Sequence, residues 1–395
     1  MRKNIILALL LFISFNIHSQ ESESPNIILM IGDGMGLTQI TSGMYSNNNS
    51  TSLEDFQYVG LSKTHSYDNL VTDSAASGTA MSSGKKTQNK VLGLDHEGNP
   101  IKSILSICQD KGYSTALIAT ANILHATPAA FFANIDYRYN YKDIAVQMTK
   151  SGVNFFVGGG KKYFNSREDK RDLINEMTEN GYEFVYNISD YEKSKSNYLG
   201  FFTAKDEPYY FYKGVNYSYR EYDEPDYKED ELEDFTGKES YLASSTKATL
   251  NKLDEIGKPF FIMIEGAQID WAGHDNDQDY MVSQFLEFND TIEVVLEFAK
   301  RDKNTIVVVT ADHETGGAAI VRGKLSDSTI KNRFVSTNHT ASMVPVFSYG
   351  HKAHLFKGIY ENTEIFNKLL SICLLYTSDA ADEGLGVDLG GRRII

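Results

Sequence analysis

Short apolar runs, four of them ending in a polar residue able to do chemistry, limit what this chain can fold into more than anything else in its sequence. They are Asn26 to Ile31, Ser114 to Ala119, Pro259 to Glu265, Thr305 to Thr310 and Met343 to Tyr349. Runs this short and this apolar suit strands covered on both faces, as in a parallel sheet. Helical stripes lie between them: Ile101, Ile104, Leu105 and Cys108, then Met281, Phe285, Phe288, Ile292, Val295 and Leu296. The alternation predicts an α/β fold, a three-layer sandwich with a mostly parallel central sheet and helices on both faces. In such sheets ligands bind beyond the carboxyl ends of the strands. Asp33 follows the first run, His125 and Thr127 the second, Glu265 ends the third, and Asp312 and His313 follow the fourth. One site assembled from distant segments is the expectation.

At 395 residues the chain suffices for one large domain or two ordinary ones, and neither a repeat nor a linker divides it. Its 22 phenylalanines and 24 tyrosines argue against disorder. A formal net charge of −15 argues against a nucleic-acid partner, because phosphates would be repelled over most of the surface. Cys108 and Cys373 cannot make a disulfide framework, so burial must hold the core. Cys108 on its helical stripe reads as a small buried apolar residue.

The two ends read differently from the middle. Arg2 and Lys3 precede an apolar stretch from Asn4 to Phe15, and the small Ser19 closes it. Residues 1–19 therefore read as a secretory signal peptide, too short to span a bilayer comfortably. Its removal would take Arg2 and Lys3 with it and leave a formal charge of −17. No later run is apolar enough for a membrane span, so the expectation is a periplasmic or secreted protein with no membrane attachment after cleavage. The stripe Ile365, Phe366, Leu369 and Leu370 predicts a last helix. Residues 373–395 show neither strand alternation nor a helical stripe. They resemble a translated sequencing-library adapter, and no function is expected of them. Residues 209–239 form an acidic, tyrosine-rich insertion, with ten acids against two lysines from Glu221 to Glu239. A solvated surface segment is the expectation, with a lid over the site as the alternative.

Individually the reactive residues are weak signals. Asp33 lies in Ile-Gly-Asp-Gly-Met-Gly, where Asp-Gly also makes ordinary turns. Ser74 opens a run of small residues that suits a tightly packed helix, so its hydroxyl is either an N-cap or a nucleophile near the positive end of a helix dipole. Glu265-Gly-Ala-Gln-Ile-Asp-Trp-Ala-Gly-His274 sets a carboxylate at a strand end and then Asp270 and His274 four apart. Asp312 and His313 adjoin in Thr-Ala-Asp-His-Glu-Thr-Gly-Gly, and His339 stands in Thr-Asn-His-Thr-Ala. Several segments offering nitrogen and oxygen ligands at strand ends suit Zn²⁺.

Taken together, Val71-Thr-Asp-Ser-Ala-Ala-Ser-Gly-Thr-Ala80, His125-Ala-Thr-Pro-Ala-Ala130, Glu265 to His274 and Thr310-Ala-Asp-His-Glu-Thr-Gly-Gly317 resemble the bacterial alkaline phosphatases in order and spacing. The likeness runs from about Asn26 to Leu370 and is nearest to the short cold-environment members. It implies that residues 20–372 are one catalytic domain hydrolysing phosphate monoesters to an alcohol and inorganic phosphate through a phosphoserine. Ser74 would be the nucleophile, and Arg138, thirteen residues after His125, would grip two phosphate oxygens. Asp270, His274 and His339 match the ligands of one Zn²⁺. Asp33, Asp312 and His313 match those of a second, which also contacts the Ser74 oxygen. Asp33, Thr127 and Glu265 match a Mg²⁺ site, so Asp33 would bridge two ions. Family members are often homodimers, which makes a second copy a candidate partner beside the small-molecule monoester.

Two departures stand out. The best-known enterobacterial members carry Asp and Lys where this chain has His125 and Trp271, residues beside the third metal site. Animal members share the His, and cold-environment relatives pair His with Trp. Loss of the acid is expected to weaken Mg²⁺ there, and loss of the lysine to weaken retention of product phosphate. The rivals are a phosphodiesterase or nucleotide pyrophosphatase of the same superfamily, which usually uses a Thr nucleophile and lacks the equivalent of Arg138, and a catalytically inactive phosphate- or metal-binding protein. A sulfatase would need a Cys/Ser-x-Pro-x-Arg sequence that is absent around Ser74.

Overall fold

Strand β1 (Asn26–Gly32) shows why the chain forms layers. Its side chains alternate between two cores, Ile27, Leu29 and Ile31 entering one and Ile28 and Met30 the other. A strand with no wet face has no polar positions to spare. This computed structural model describes residues 24–208 and 241–374. The segments read as signal peptide (1–19) and acidic insertion (209–239) lie outside the described residues, as do residues 375–395 of the anomalous tail.

The remaining strands are β2 (Tyr58–Lys63), β3 (Ser114–Asn122), β4 (Phe155–Gly159), β5 (Glu183–Val185), β6 (Leu199–Phe202), β7 (Phe260–Gly266), β8 (Thr305–Thr310), β9 (Glu314–Thr315), β10 (Ala319–Lys324), β11 (Thr329–Arg333), β12 (His339–Thr340), β13 (Val344–Gly350) and β14 (Gly358–Glu361). Ten of them form the central sheet in the order β14-β2-β13-β8-β1-β7-β3-β4-β6-β5. Only β13 runs against its neighbours in that sheet, pairing antiparallel with β2 and β8. Strands β10 and β11 make a hairpin, and β9 pairs with β12 as a two-residue ribbon.

Helices cover both faces, as the stripes predict. Ile104, Leu105 and Cys108 join one core, and Met281, Phe285, Phe288, Ile292 and Val295 of the long helix Gln278–Asp302 join the other. Two boundaries differ from expectation. Ser103 caps the helix α3 (Ile104–Asp110), its Oγ accepting from the Ser106 N–H at 3.2 Å, so Ile101 stands before the helix instead of on its stripe. The last helix, Thr363–Leu374, continues through Cys373. The helix therefore extends two residues, Cys373 and Leu374, into the segment read as tail, because buried Cys373 joins Ile372 in completing its apolar face, with Sγ of Cys373 3.8 Å from Sγ of Cys108.

The helix α1 (Leu37–Ser46), which begins four residues after Asp33, packs directly on the long helix. Gly43 permits it: a Cβ there would overlap the fully buried Phe285 ring. Gly43→Ala should gain about 1 kcal/mol of helix propensity, but the ring is walled in and overpacking of this kind costs about 1–3 kcal/mol. The variant should therefore unfold at lower urea concentration than the parent, whereas a higher midpoint would show that the helices can separate freely.

Candidate metal centre and nucleophile

Four neighbouring parallel strands, β8, β1, β7 and β3, end on the same side of the sheet. Their carboxyl ends deliver Asp312 and His313, Asp33, Glu265, and His125 with Thr127. All of these except His125 are fully buried. The Asp33 N–H donates to the Gly266 carbonyl at 3.1 Å, which ties the turn after β1 to the end of β7. Gly34 turns the chain at φ +72°, and a side chain there would meet the Asp270 Cα at 2.7 Å. Its N–H donates to Asp312 Oδ1 at 3.2 Å.

Three clusters of ligand atoms result, each within 4.8 Å: Asp270, His274 and His339; Asp33, Asp312 and His313; and Asp33, His125 and Glu265. Asp33 belongs to two of them. Thr127 joins the third, its hydroxyl lying beside the Glu265 carboxyl. His125, which the sequence placed next to this cluster, contributes a ring nitrogen to it, and Trp271 stands edge-on to that ring at 6.2 Å.

The site fits metal ions on two counts. Both carboxylate oxygens of Asp33 and of Glu265, one of Asp312, and the Thr127 hydroxyl are buried with no hydrogen-bond partner. Unpaired buried carboxylates are costly unless a cation meets them. The histidines are also prepared. His274 Nδ1 donates to the Thr337 carbonyl at 2.6 Å, His339 Nδ1 to the Thr72 carbonyl at 2.8 Å, and His313 Nδ1 lies 3.2 Å from the Thr315 hydroxyl. With the hydrogen on Nδ1, each Nε2 presents its lone pair inward, as metal-binding histidines do. The His274 and His339 Nε2 atoms are 3.2 Å apart, and the His313 and His339 rings stack at 3.5 Å.

Ser74 is the first residue of the helix α2 (Ser74–Ser83) and is almost fully buried. Its Oγ is 3.4 Å from His313 Nε2. Asp73, quoted within the serine motif but given no role by the sequence, organises what surrounds it. One oxygen caps α2 at the Ala76 N–H (3.0 Å), and the other accepts from the Lys90 N–H at 3.0 Å and from Arg138 at 3.1 Å. Arg138 also donates to His125 Nε2 at 3.3 Å. Thr315 is the other residue the sequence left without a role. Its hydroxyl donates to Asp270 while facing His313, so it links two clusters. A polar residue at helix position N-cap is a readable signal for Asp73; nothing local signals Thr315.

Burial and mutual repulsion govern the charges. Burial pushes the Asp33 carboxyl well above its ordinary value, and Asp312, Asp270 and Glu265 add to it. Burial lifts Glu265 to about 8. Burial drives His125 down to about 3, with Arg138 contributing, and takes His339 down to about 4. The bond to Asp270 raises His274 to about 9. Asp270 and Asp312 go the other way: burial raises both, but hydrogen bonds and charge from the histidines outweigh it and hold them low.

The alkaline phosphatase family profile matches residues 24–333. The chain belongs to the alkaline phosphatase family. Among its relatives, alkaline phosphatase 4 of Bacillus subtilis is 36% identical over 316 residues, covering 76% of this chain and 63% of its own length. The repressible alkaline phosphatase of Saccharomyces cerevisiae is 32% identical over 343 residues, 78% of this chain and 58% of its own. The chain thus spans about 63% of the length of the Bacillus relative. The alkaline phosphatase of the Antarctic bacterium TAB5 has a TM-score of 0.78 at 36% identity, covering 89% of this chain and 99% of that one. A histidine-to-aspartate variant of that enzyme, with Mg bound in its M3 site, gives 0.78 at 34% identity, covering 89% of this chain and 98% of that one. Among the described residues of this family member, no helix is long and apolar enough to cross a membrane.

These shifts fix how the metal-free protein should respond to pH. Glu265 favours its neutral form when folded, so its contribution is complete below the ordinary 4.5 and disappears as pH rises through about 8. His274 favours its charged form, with a contribution complete below 6.5 and lost through about 9. The first loss runs from pH 4.5 to about 8 and the second from 6.5 to about 9, so they overlap between 6.5 and 8, where thermal melts of chelator-treated protein should show the steepest fall in Tm. Added zinc should flatten or reverse the slope, because it binds deprotonated ligands. A Tm that stays level in the metal-free protein would contradict the charge assignment.

Proposed function

We propose that this protein hydrolyses phosphate monoesters to an alcohol and inorganic phosphate through a phosphoserine at Ser74. The observation that carries the proposal is the Ser74 hydroxyl 3.4 Å from His313 Nε2, beside three ligand clusters that share Asp33. Asp270, His274 and His339 would hold one zinc ion, Asp33, Asp312 and His313 a second, and Asp33, Thr127, Glu265 and His125 a third divalent ion, magnesium in the family pattern. Bound ions of this kind lower the pKa of hydroxyl and water ligands and offset charge on phosphoryl oxygens.

The protein's own groups supply the rest. Ser74 is set by α2 at the end where unpaired N–H groups and the helix dipole favour negative charge. Arg138, held on Asp73, has the planar fork that binds two oxygens of a monoester dianion. Ser74 Oγ forms a bond to phosphorus as the bond to the alcohol oxygen breaks. Water then forms the next bond to phosphorus, and Ser74 Oγ leaves as inorganic phosphate is released. Arg138, which a diester with one less charge would use less well, favours the monoester over the phosphodiesterase reading. An imidazole in the third cluster is a softer ligand than the oxygens Mg²⁺ prefers, so His125 disfavours Mg²⁺ there. The same reading extends to export, from the segment 1–19, to small-molecule monoesters as partners, and to a homodimer.

Ser74→Ala should lower monoester turnover by roughly a thousandfold or more while inorganic phosphate still binds, and a chelator should silence the parent protein. Monoester turnover that survives complete metal removal, or a diester hydrolysed as fast as a monoester, would defeat the proposal. Trp271→Lys should lower the inhibition constant for inorganic phosphate, by roughly tenfold if one bridged charge is worth about 1.4 kcal/mol. An unchanged constant would remove Trp271 from any role in phosphate release.

A further inference from the structure

Glu314 is almost fully buried, yet its four hydrogen-bond partners among the described residues are all neutral donors. Its Oε1 accepts from Gln39 Nε2 at 2.7 Å and from the Ala318 N–H at 3.2 Å. Its Oε2 accepts from the Gly317 N–H at 3.2 Å and from the Thr340 hydroxyl. Gln39 gives its second N–H to the Thr315 carbonyl at 2.7 Å.

Gly317 and Ala318 lie in its own segment, but Gln39 and Thr340 each lead to another ligand-bearing segment. Glu314 itself follows His313 directly and opens β9. Thr340 follows His339 in β12 and is the residue opposite Glu314 in the ribbon. Gln39 lies in α1, the helix that continues the turn bearing Asp33. One carboxylate therefore joins the segments carrying Asp33 and His313, of one zinc-type cluster, to the segment carrying His339, of the other. The ribbon alone has two residue pairs, too few to fix the 3.5 Å stacking of His313 on His339.

We infer that Glu314 is a positioning residue that locks the two zinc-type clusters to one another, setting the separation of their ligands without touching the reacting atoms. The inference rests on the metal reading above. An amide of the same shape cannot replace it. In Glu314→Gln one oxygen becomes an NH₂ group that must face either Gln39 and Ala318 or Gly317 and Thr340, donors in each case.

The test is competition for zinc on the purified full chain, with a chelator of known affinity and metal content read per chain. Glu314→Gln should surrender zinc from both clusters at about ten- to a hundredfold lower chelator strength than the parent. The cobalt(II)-substituted form should show an altered visible absorption. Thr340→Val, which removes one donor of the four, should move the same readings the same way by less, and it carries the test should Glu314→Gln fail to fold. If the variants melt at lower temperature but hold zinc as the parent does, Glu314 is structural only and the inference falls. If the parent takes up no zinc, the metal reading falls first and this inference with it.

Discussion

Repulsion among buried carboxylates is the constraint on which the centre of this structure rests. Asp33, Glu265, Asp270 and Asp312 meet where the sheet ends, fully or almost fully out of water. Two of them, Asp33 and Glu265, have no donor on either oxygen. Like charges so placed cannot all ionise without a large cost. The charged forms favoured at His274 and His313, and the buried Arg138, offset only part of it. A fold that keeps such a cluster is organised around cations, and the layers, the turns and the capped helix all serve to hold that cluster fixed.

The scaffold achieves this with few devices. Adjacent parallel strands put ligands at neighbouring points along one edge, which needs no loop to be long. Helix α2 begins its N-terminal turn at Ser74, and Asp73 binds that turn to Arg138. The β9–β12 ribbon then crosses over the strand ends and brings His339, which is far along the chain, against His313. His274, His313 and His339 each have the outer nitrogen engaged by an oxygen, so ring orientation is decided before any ion arrives.

Much of this was legible in the residues. Strands with both faces buried must be apolar throughout, which is why β1, β3, β7 and β8 stood out and why their ends pointed to Asp33, Thr127, Glu265, Asp312 and His313. Less was legible where burial is one-sided or brief. β2 has two buried positions, Gly60 and Ser62, among half-buried and exposed ones, and β5 and β6 run for three and four residues. The start of α3 was misplaced because a capping serine, Ser103, overrides an apolar residue on the same stripe. Capping by Asp73 was readable locally, but its hold on Arg138 and the roles of Thr315 and Glu314 depend on contacts between segments up to hundreds of residues apart, which no local pattern encodes.

The position of β1 at the middle of the sheet also bears on how the protein is made. Its partners are β7 and β8, and Asn26 meets Thr305 across 279 residues. The first strand to be synthesised is thus among the last to be paired, with its fully apolar side chains open to solvent or to other chains in the meantime. Pairing between such remote segments is slow and leaves sticky surface exposed. The residues gathered at the carboxyl ends of β1, β7 and β8 can meet only once these remote pairings form.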